Sequence, residues 1–512
     1  PTTAQNRRGT VVARSNGGGL SPLGSTEPYD VCIVGSGPAG TILGTTLARR
    51  GLHTLILESG RGMLSWLANQ QIRSLARYDF TGNTDYPLSR TTSRILGGNS
   101  NFWTGRCERF HPADFELHPY TPPENPWPIG YADLDSYYDD AERLLRVRGG
   151  PRSPFSPPRR HPLPLPPSPD IGFLKRLGEM IGLDLEESAT ATPQKTMRVF
   201  NVQKEILPGF HASGHGTVVT GATATRIIAG RDGTISGIEV KTVDGGSAIA
   251  RARCFVVSCG GIETPRLLLL SASEQFPAGI GNAYDQVGRG FNDHPNLSYQ
   301  TNIPHTRDTL TPTNKIARSH QFYNTYRGEG LGSVLLVMRQ AWVLPNHIGV
   351  VRAATLLRNS VGVLARLVSA PLQIGASFEI KPSPSNRVML SRTHTDLFGR
   401  PIAHLVFNYA DEDLRLMERG RELLRGWIPK VGGIGSHEIE VAWSRHHLST
   451  CRMGSSPTTS VVNADLRVHD TRNLYLCGSE AFVTGGGQQP TLTIAAMALR
   501  LADHLTARLP AG

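Results

Sequence analysis

The chain contains 512 residues, of which 39% are hydrophobic, and it carries a formal net charge of +11. This composition supplies ample material for a buried core and for more than one domain, and it excludes an intrinsically disordered protein. The basic residues are scattered through the sequence, whereas a nucleic-acid partner would require a clustered basic face. No run approaches the ~20 apolar residues of a membrane span, so we expect neither a nucleic-acid nor a membrane partner.

The cysteines are far apart and none has the spacing of a zinc site, so we expect no metal. They are Cys32, Cys107, Cys254, Cys259, Cys451 and Cys477. Four of them lie in apolar runs, where a free thiol behaves as a small buried hydrophobic group, and this favours a reducing, cytoplasmic location. Residues 1–28 contain Arg7 and Arg8 but lack the apolar stretch of a twin-arginine signal, so we expect a flexible leader.

The first predicted elements form a dinucleotide-binding unit. A strand leads into the glycine loop of residues 35–40, and the helix after it is followed by a second strand that ends at Glu58. Gly35 permits a tight turn, Gly37 lets the backbone approach a pyrophosphate, and Gly40 lets the helix pack closely on the strand. Glu58 lies near the position from which a carboxylate binds ribose hydroxyls. This order predicts a dinucleotide cofactor and leaves NAD and FAD as alternatives.

Later segments alternate between glycine-rich turns and apolar runs. Residues 97–101 read Gly-Gly-Asn-Ser-Asn, a turn that would let the backbone lie against a flat ring system. Residues 217–228 and 235–243 are predicted to be β-rich, and residues 253–270 predict a buried strand, a Gly-Gly turn and a helix. Residues 494–505 have apolar positions at helical spacing.

Five segments in this order resemble the glucose-methanol-choline (GMC) oxidoreductase family. They are residues 35–58, 97–100, 260–270, 287–295 and the C-terminal block 445–493. The resemblance implies a tightly held FAD and the oxidation of a small-molecule alcohol. It also implies an α/β fold, α+β overall, in which a Rossmann-like FAD-binding domain is joined to a discontinuous, β-sheet-based substrate-binding domain.

The resemblance divides the chain into alternating parts. After the leader, the FAD-binding domain is expected at residues 29–115, 196–295 and 437–512, and the substrate-binding domain at residues 116–195 and 296–436. The residues expected to contact FAD are Gly35, Gly37, Gly40, Glu58, Gly97, Gly98, Ser100, Asn101, Gly260, Gly478, Pro490, Thr491 and Leu492. The last three begin a helix whose free N–H groups would stabilise the negative charge of the reduced flavin.

The glycine turn at residues 97–101 resembles that of pyranose oxidases, because Trp103 and Thr104 follow it. In that subgroup a histidine at the position of Phe102 attaches FAD covalently. Phenylalanine has no nucleophilic nitrogen, so we predict that FAD is bound noncovalently here.

The C-terminal block supplies the candidate catalytic residues. His446 matches the first histidine of the family pattern His-x-x-Gly-Thr-x-Arg-Met-Gly, with Ser449 in place of its glycine, while His447 matches a variable position. Hydride transfer from an alcohol requires the hydroxyl proton to leave, and a neutral imidazole accepts a proton near neutral pH, so we expect His446 to be the base. Gln489 stands where the family has histidine or asparagine, and its amide can donate to or accept from the hydroxyl. Gln488 is the alternative if the loop register shifts by one.

The pyranose-oxidase-like turn and the two-part site favour a sugar or an aminosugar as substrate, such as an aminoglycoside precursor whose primary hydroxyl becomes an aldehyde. The alternatives are oxidation of a ring hydroxyl to a ketone, a lyase that keeps FAD without redox turnover, and a binding protein with a structural flavin. A cationic aminosugar would require acidic residues in the pocket. The sequence leaves open the electron acceptor, oxygen or another, the oligomeric state, and whether the proline-rich residues 151–169 form a connector or a lid.

Overall fold

The computed structural model of the protein describes residues 20–24, 28–62, 77–84, 86–168, 171–193, 200–304, 315–340 and 369–509. Most of the predicted leader therefore lies outside the described residues. The helices are α1 (Pro38–Arg49), α2 (Leu88–Thr91), α3 (Ala132–Leu144), α4 (Gly172–Ile181), α5 (Val202–Glu205), α6 (Leu207–Ala212), α7 (Gly260–Leu270), α8 (Asp411–Trp427) and α9 (Thr491–Arg508). Short 3-10 turns occur at Ser21–Gly24, Gly98–Asn101, Pro112–Asp114, Arg327–Glu329 and Ser479–Ala481.

The strands lie mostly between these helices. They are β1 (Tyr29–Val34), β2 (Thr54–Glu58), β3 (Tyr78–Thr81), β4 (Val147–Arg148), β5 (Glu186–Glu187), β6 (Thr190–Ala191), β7 (Gly216–Thr220), β8 (Thr223–Ala229), β9 (Ile235–Lys241), β10 (Ser247–Ala250), β11 (Ala252–Val257), β12 (Pro295–Pro304), β13 (Lys315–Ser319), β14 (Val334–Gln340), β15 (Ser369–Phe378), β16 (Arg387–Thr395), β17 (Pro401–Val406), β18 (Ile434–Trp443) and β19 (Leu474–Leu476).

A parallel sheet of five strands, in the order β19-β11-β1-β2-β7, forms the centre of the nucleotide-binding half. Its central strands are almost wholly buried, since helices cover a parallel sheet on both faces and its strands are therefore continuous apolar runs. α1 follows β1 through the glycine loop, and α9 packs against α1. The predicted α/β class and Rossmann-like unit are confirmed.

The expected Gly-Gly turn after β11 differs in detail from the structure. Gly260 and Gly261 are the first two residues of α7, and Gly260 has φ 73°. The left-handed conformation of Gly260 turns the chain sharply enough that the helix starts at once, without a separate turn. The C-terminal apolar pattern is part of a longer helix, α9.

A six-stranded sheet in the order β18-β12-β15-β14-β13-β5 forms the other half. Alternate residues of β12 separate its two faces, because side chains alternate along a strand. Leu297 and Tyr299 pack in an apolar core with side chains of α4 and α8, whereas Asn296 and Ser298 line a cavity on the opposite face. The sheet is thus a wall with one apolar and one polar side.

Two elements connect the expected domains. β18 pairs along its length with β12, so it crosses the expected boundary between residues 436 and 437. α3 lies within 116–195 but packs against α9, in the core of the parallel sheet. In the described ranges no helix is long and apolar enough to cross a lipid bilayer. All six cysteines are free thiols.

Candidate active site

A cavity of about 690 Å³ lies between the parallel sheet and the polar side of the six-stranded sheet. It extends from the glycine loop after β1 to the chain that follows β18. Residues from both ends of the sequence line it, among them Gly37, His446 and Gln489. Its size is that of a small-molecule or cofactor site.

The nucleotide end of the cavity is built mainly from backbone. Gly35 has φ 101°, and a Cβ atom there would lie 2.5 Å from the Ser258 carbonyl oxygen, so only glycine fits. Gly37 caps the N-terminus of α1, where no side chain accepts a hydrogen bond from the first turn. A Cβ atom at Gly37 would meet no atom within 4 Å, because this position opens onto the cavity. The helix therefore presents free N–H groups and its positive dipole end to the cavity.

Glu58 lines the cavity beside this loop. Its Oε2 accepts hydrogen bonds from the backbone N–H (3.1 Å) and the hydroxyl (2.5 Å) of Ser36, and its Oε1 accepts one from the Gly60 N–H (2.7 Å). The carboxylate thus fixes the shape of the loop, and a ribose hydroxyl contact remains a prediction.

The second glycine turn contributes Gly98, together with Phe102 and Trp103, to the cavity wall. Ser100 and Asn101 instead hold the turn together: the Ser100 hydroxyl donates to the Gly97 carbonyl (2.6 Å), and the Asn101 amide donates to the Gly98 carbonyl (2.8 Å). Five of the residues predicted to contact FAD lie outside the lining, namely Gly40, Gly97, Ser100, Asn101 and Leu492. Their roles visible in the structure are packing and turn geometry.

The C-terminal part of the chain closes the cavity from the other side. Gly260 and Gly478 line it, as do Pro490 and Thr491 at the start of α9. No side chain caps this helix, so a second N-terminus with free N–H groups faces the cavity. The buried Ser258 hydroxyl, also on the wall, has no hydrogen-bond partner in the described structure. Two helix N-termini, a glycine loop and an unpaired buried hydroxyl fit a dinucleotide whose pyrophosphate lies at α1.

His446 follows β18 and its ring opens onto the cavity. Its Nδ1 lies 2.8 Å from Nδ1 of His294, so one of the two nitrogens must carry the shared proton. The Nε2 of His294 is next to Gly485, since a Cβ atom there would lie 2.9 Å from it. The described part of the chain offers no hydrogen-bond partner to Nε2 of His446, which leaves that nitrogen to the cavity.

Asp293 holds this histidine in place through the backbone. Its Oδ1 accepts from the N–H groups of His446 (2.8 Å) and His294 (2.7 Å), and its Oδ2 accepts from the Arg445 N–H (3.1 Å) and the Tyr86 hydroxyl (2.7 Å). Burial raises the pKa of Asp293 to about 6, although these four bonds oppose the rise.

The histidines at the site favour the neutral state. The pKa of His446 is lowered well below 6.5, chiefly because the ring is removed from bulk water and also because His294, His447 and Arg318 are near. Burial lowers the pKa of His294 to about 4, while backbone groups of Gly485 and Gly486 oppose this by favouring a protonated ring nitrogen. A neutral ring with a free nitrogen can accept a proton.

His447 has a structural environment. Its Nε2 lies 3.0 Å from the Thr91 hydroxyl, its carbonyl accepts from the Ser479 hydroxyl (2.8 Å), and burial lowers its pKa to about 3. Ser449, which replaces the glycine of the family pattern, has φ 66°. The family glycine is therefore explained by a left-handed backbone position, which serine occupies here while its hydroxyl accepts from the Asn292 amide (2.9 Å).

The two neighbouring glutamines differ in placement. Gln489 lines the cavity, and its Oε1 has no partner among the described residues. Gln488 is fully buried and lies outside the lining. Of the two, Gln489 is thus the one that opens onto the cavity, and its role at the substrate remains a prediction.

Residues that sequence reasoning missed complete the site. His294 and Asp293 belong to the segment 287–295, which was recognised as a motif without an assigned role. An adjacent Asp-His pair is the signal that could have drawn attention to it. Arg106 and Arg318, on the wall formed by the six-stranded sheet and its neighbours, were also missed, and isolated arginines give no such signal.

Comparison with known proteins identifies the same regions. Residues 172–296 and 382–498 match the N-terminal and C-terminal models of the GMC oxidoreductase family, and residues 28–65 match an FAD-binding domain. The chain is 29% identical to 6'''-hydroxyparomomycin C oxidase of Streptomyces lividus, over 96% of this chain and 94% of that protein. It is 28% identical to paromamine 6'-oxidase of Streptomyces fradiae, over 94% and 92% of the two chains.

The fold is also similar to that of solved structures. The crystal structure of pyridoxine 4-oxidase from Mesorbium loti superposes with a TM-score of 0.61 and 18% identity, covering 93% of this chain and 99% of the other. At that identity the likeness concerns the fold alone.

Proposed function

The chain belongs to the GMC oxidoreductase family, as an FAD-dependent alcohol oxidoreductase, and from this premise we propose that it oxidises a hydroxyl group of a sugar or aminosugar with His446 as the base. The observation that carries the proposal is that His446 and Gln489 open onto the same cavity as the glycine loop and the N-terminus of α1. The two ends of the sequence thereby meet around one ligand site.

The reaction divides between cofactor and protein. Bound FAD would accept the hydride of the carbinol carbon at N5. Nε2 of His446 accepts the hydroxyl proton as the carbonyl forms, so the substrate loses one hydride and one proton in all. The charge left on the flavin would be stabilised by the N-terminus of α9, at Pro490 and Thr491.

The contact between the two histidines determines which ring nitrogen of His446 carries the proton. Nε2 of His294 has no hydrogen-bond partner in the described structure, but the backbone groups of Gly485 and Gly486 lie near enough to favour a proton on this ring. With that proton on Nε2, Nδ1 of His294 is an acceptor, and Nδ1 of His446 must donate to it. Nε2 of His446 then has a lone pair directed at the cavity. His294 is a positioning residue in this arrangement, as is Asp293 through its backbone contacts.

Gln489 would orient the substrate hydroxyl. Its Oε1 has no partner, so the amide is available to a ligand. The substrate class is proposed from the relatives, whose names specify paromamine and hydroxyparomomycin C, and it extends to an aminoglycoside precursor whose primary hydroxyl becomes an aldehyde.

Anaerobic addition of a panel of sugars and aminosugars to the FAD-loaded protein tests the proposal. A substrate should bleach the flavin absorbance at about 450 nm. Oxygen uptake or dye reduction during turnover then identifies the electron acceptor. Absence of bleaching by the whole panel would reject sugar oxidation and favour the lyase alternative.

We also propose that FAD is bound noncovalently. Phe102, the position that would attach the flavin, lines the cavity and has no nucleophilic atom. After acid precipitation the yellow chromophore should stay in the supernatant, and a yellow pellet would contradict this.

A further inference from the structure

The charges of the cavity wall are unevenly distributed. Among the described residues that line the cavity, the carboxylates are Glu58 and Glu263. Glu58 is bound within the nucleotide loop, and Glu263 forms ion pairs with Arg94 (2.6 Å) and Arg266 (3.1 Å). Among the described residues, the cavity wall formed by the six-stranded sheet therefore has no carboxylate on its surface.

That wall does carry guanidinium groups. Arg318 on the polar side of β13 and Arg339 of β14 line the cavity. Arg106 also lines it; this residue follows the second glycine turn, and its backbone pairs with Thr190 of β6. Arg318 is 2% exposed, and its Nη1 has no hydrogen-bond partner in the described structure. A buried guanidinium with an unpaired N–H group at a cavity wall is a strong donor site for an anion.

Arg106 and Arg318 are linked through Ser188 and the carboxylate of Glu108. Nε of Arg318 lies 3.0 Å from Oε1 of Glu108, the same oxygen accepts from the Ser188 hydroxyl (2.5 Å), and that hydroxyl accepts from Nη1 of Arg106 (3.1 Å). Glu108 is 3% exposed and does not line the cavity. The two guanidinium groups thus line the cavity, while Glu108 and Glu186, the carboxylates that act on Arg318, lie outside the lining.

The pKa shifts of neighbouring groups also show that positive charge is concentrated at this wall. Burial, together with the nearby Arg318 and Arg339, lowers the pKa of Arg106 to about 9, while Glu108 opposes this shift. Arg106 is still protonated at neutral pH. Arg318 is also near enough to lower the pKa of His446, so the charge of this arginine lies at the end of the cavity where His446 would take the substrate proton.

We propose that Arg106 and Arg318 bind an oxyanion of the substrate, so that the preferred substrate is a sugar carrying a carboxylate or a phosphate. The inference rests on the proposed oxidation of a sugar hydroxyl, and within that proposal it favours an anionic sugar over a cationic aminosugar. A cationic aminosugar would meet like charge at this wall.

The first test compares substrates of different charge. Anaerobic flavin reduction by the FAD-loaded protein is measured with glucuronate, glucose 6-phosphate, glucose and glucosamine at one ionic strength. We expect the second-order rate constant of flavin reduction to be about 10-fold or more higher for at least one anionic sugar than for glucose. Glucosamine should be the poorest substrate, and the preference should shrink as salt is raised. A preference for glucuronate identifies a carboxylate site, and a preference for glucose 6-phosphate identifies a phosphate site.

Variants of Arg106 provide the second test. Arg106→Gln should lower the second-order rate constant of flavin reduction by about 10- to 100-fold more for the preferred anionic sugar than for glucose, because a charge-assisted hydrogen bond is lost. Arg106→Lys keeps the charge and should keep part of the preference. Arg419→Gln is the matched control, since it removes the same charge from a surface arginine paired with Glu329 and should change neither.

Failure of this inference can be told from failure of the proposed function. If glucosamine or glucose reduces the flavin as well as both anionic sugars, or if Arg106→Gln slows all sugars equally, the oxyanion site is rejected while sugar oxidation stands. In the reverse case the oxyanion site exists but sugars are not oxidised. Calorimetry of glucuronate and glucose 6-phosphate binding to FAD-loaded His446→Ala tests this case. Binding of glucuronate or glucose 6-phosphate there, without flavin reduction by any sugar in the unaltered protein, would uphold the oxyanion site and reject the oxidation. No binding of either anion would reject the site.

Discussion

The two ends of the cavity are built in different ways. At the nucleotide end, the ligand surface is mostly backbone: a glycine loop and the start of α1, all contiguous in sequence. At the reacting end, it consists of side chains brought together from distant segments, as His294 and His446 illustrate. The nucleotide end tolerates few substitutions because an added side chain would fill the space that the ligand needs. At the reacting end, a change of one side chain can alter the chemistry. Substitutions at the two ends should therefore separate cofactor binding from catalysis.

The largest separation is expected from His446→Ala. Loss of the base should slow flavin reduction by about 10²- to 10⁴-fold, while the flavin content stays that of the unaltered protein. Rapid-mixing absorbance under anaerobic conditions, with flavin content measured after denaturation, checks both parts. Unchanged flavin reduction would remove His446 from the mechanism.

Gly37→Val should have the opposite effect. The added side chain fits the fold, since Gly37 has φ −64° and open space beside it, but it occupies the cavity where a pyrophosphate would lie. We expect FAD affinity to fall by about 10- to 100-fold. Gly426→Val, at an exposed glycine with equally open surroundings, is the matched control and should bind FAD normally.

Circular dichroism of both glycine variants checks that the fold is retained. Equal FAD affinity in the two would mean that the cavity beside Gly37 does not hold the dinucleotide.

A smaller effect is expected from substitution of His294, because its ring contacts His446 and not the substrate in the proposed arrangement. His294→Leu removes the acceptor for the Nδ1 proton of His446 and should slow flavin reduction by about 10-fold. His294→Asn places an amide oxygen close to the lost Nδ1 and should retain most of the rate. The pair is compared by single-turnover flavin reduction, and equal losses in both variants would refute the tautomer argument.

The pH dependence gives the smallest expected change. Because the pKa of His446 is lowered below 6.5, the ring stays neutral as the pH falls through 6.5 and protonates only at more acidic pH. The kcat/KM for a sugar without a titrating group should therefore change by less than about 2-fold between pH 8 and pH 6, where an unperturbed histidine would be about three-quarters protonated and would lower kcat/KM about 4-fold. An acidic limb with an apparent pKa of 6.5 or above would contradict the expected environment.

The nucleotide end could be predicted from sequence because its determinants are local. The loop from Gly35 to Gly40 and the strand ending at Glu58 carry their geometry in consecutive residues, and the structure has the predicted order. The sequence predicted less at the second glycine turn. There Ser100 and Asn101 were expected at the cofactor, yet their side chains bond to the turn itself, and spacing alone does not show which way a turn faces.

The reacting end could be predicted only in part. The family pattern identified His446 and the position of Gln489, but not the partner of the imidazole, because His294 is 152 residues away and the contact depends on how two loops pack. Arg106 and Arg318 were missed for the same reason, since the network joining them runs through Ser188 and Glu108 on separate segments. Acidic residues were expected in the pocket only for a cationic aminosugar, and the described wall of the six-stranded sheet carries arginines.

The most direct test of the central claim is an experimental structure of the FAD-loaded protein with a bound sugar acid. The account predicts the pyrophosphate at the N-terminus of α1, the flavin ring beside Pro490 and Thr491, and the substrate hydroxyl within hydrogen-bond distance of His446 Nε2. A flavin ring outside this cavity, or His446 turned away from the substrate, would contradict it.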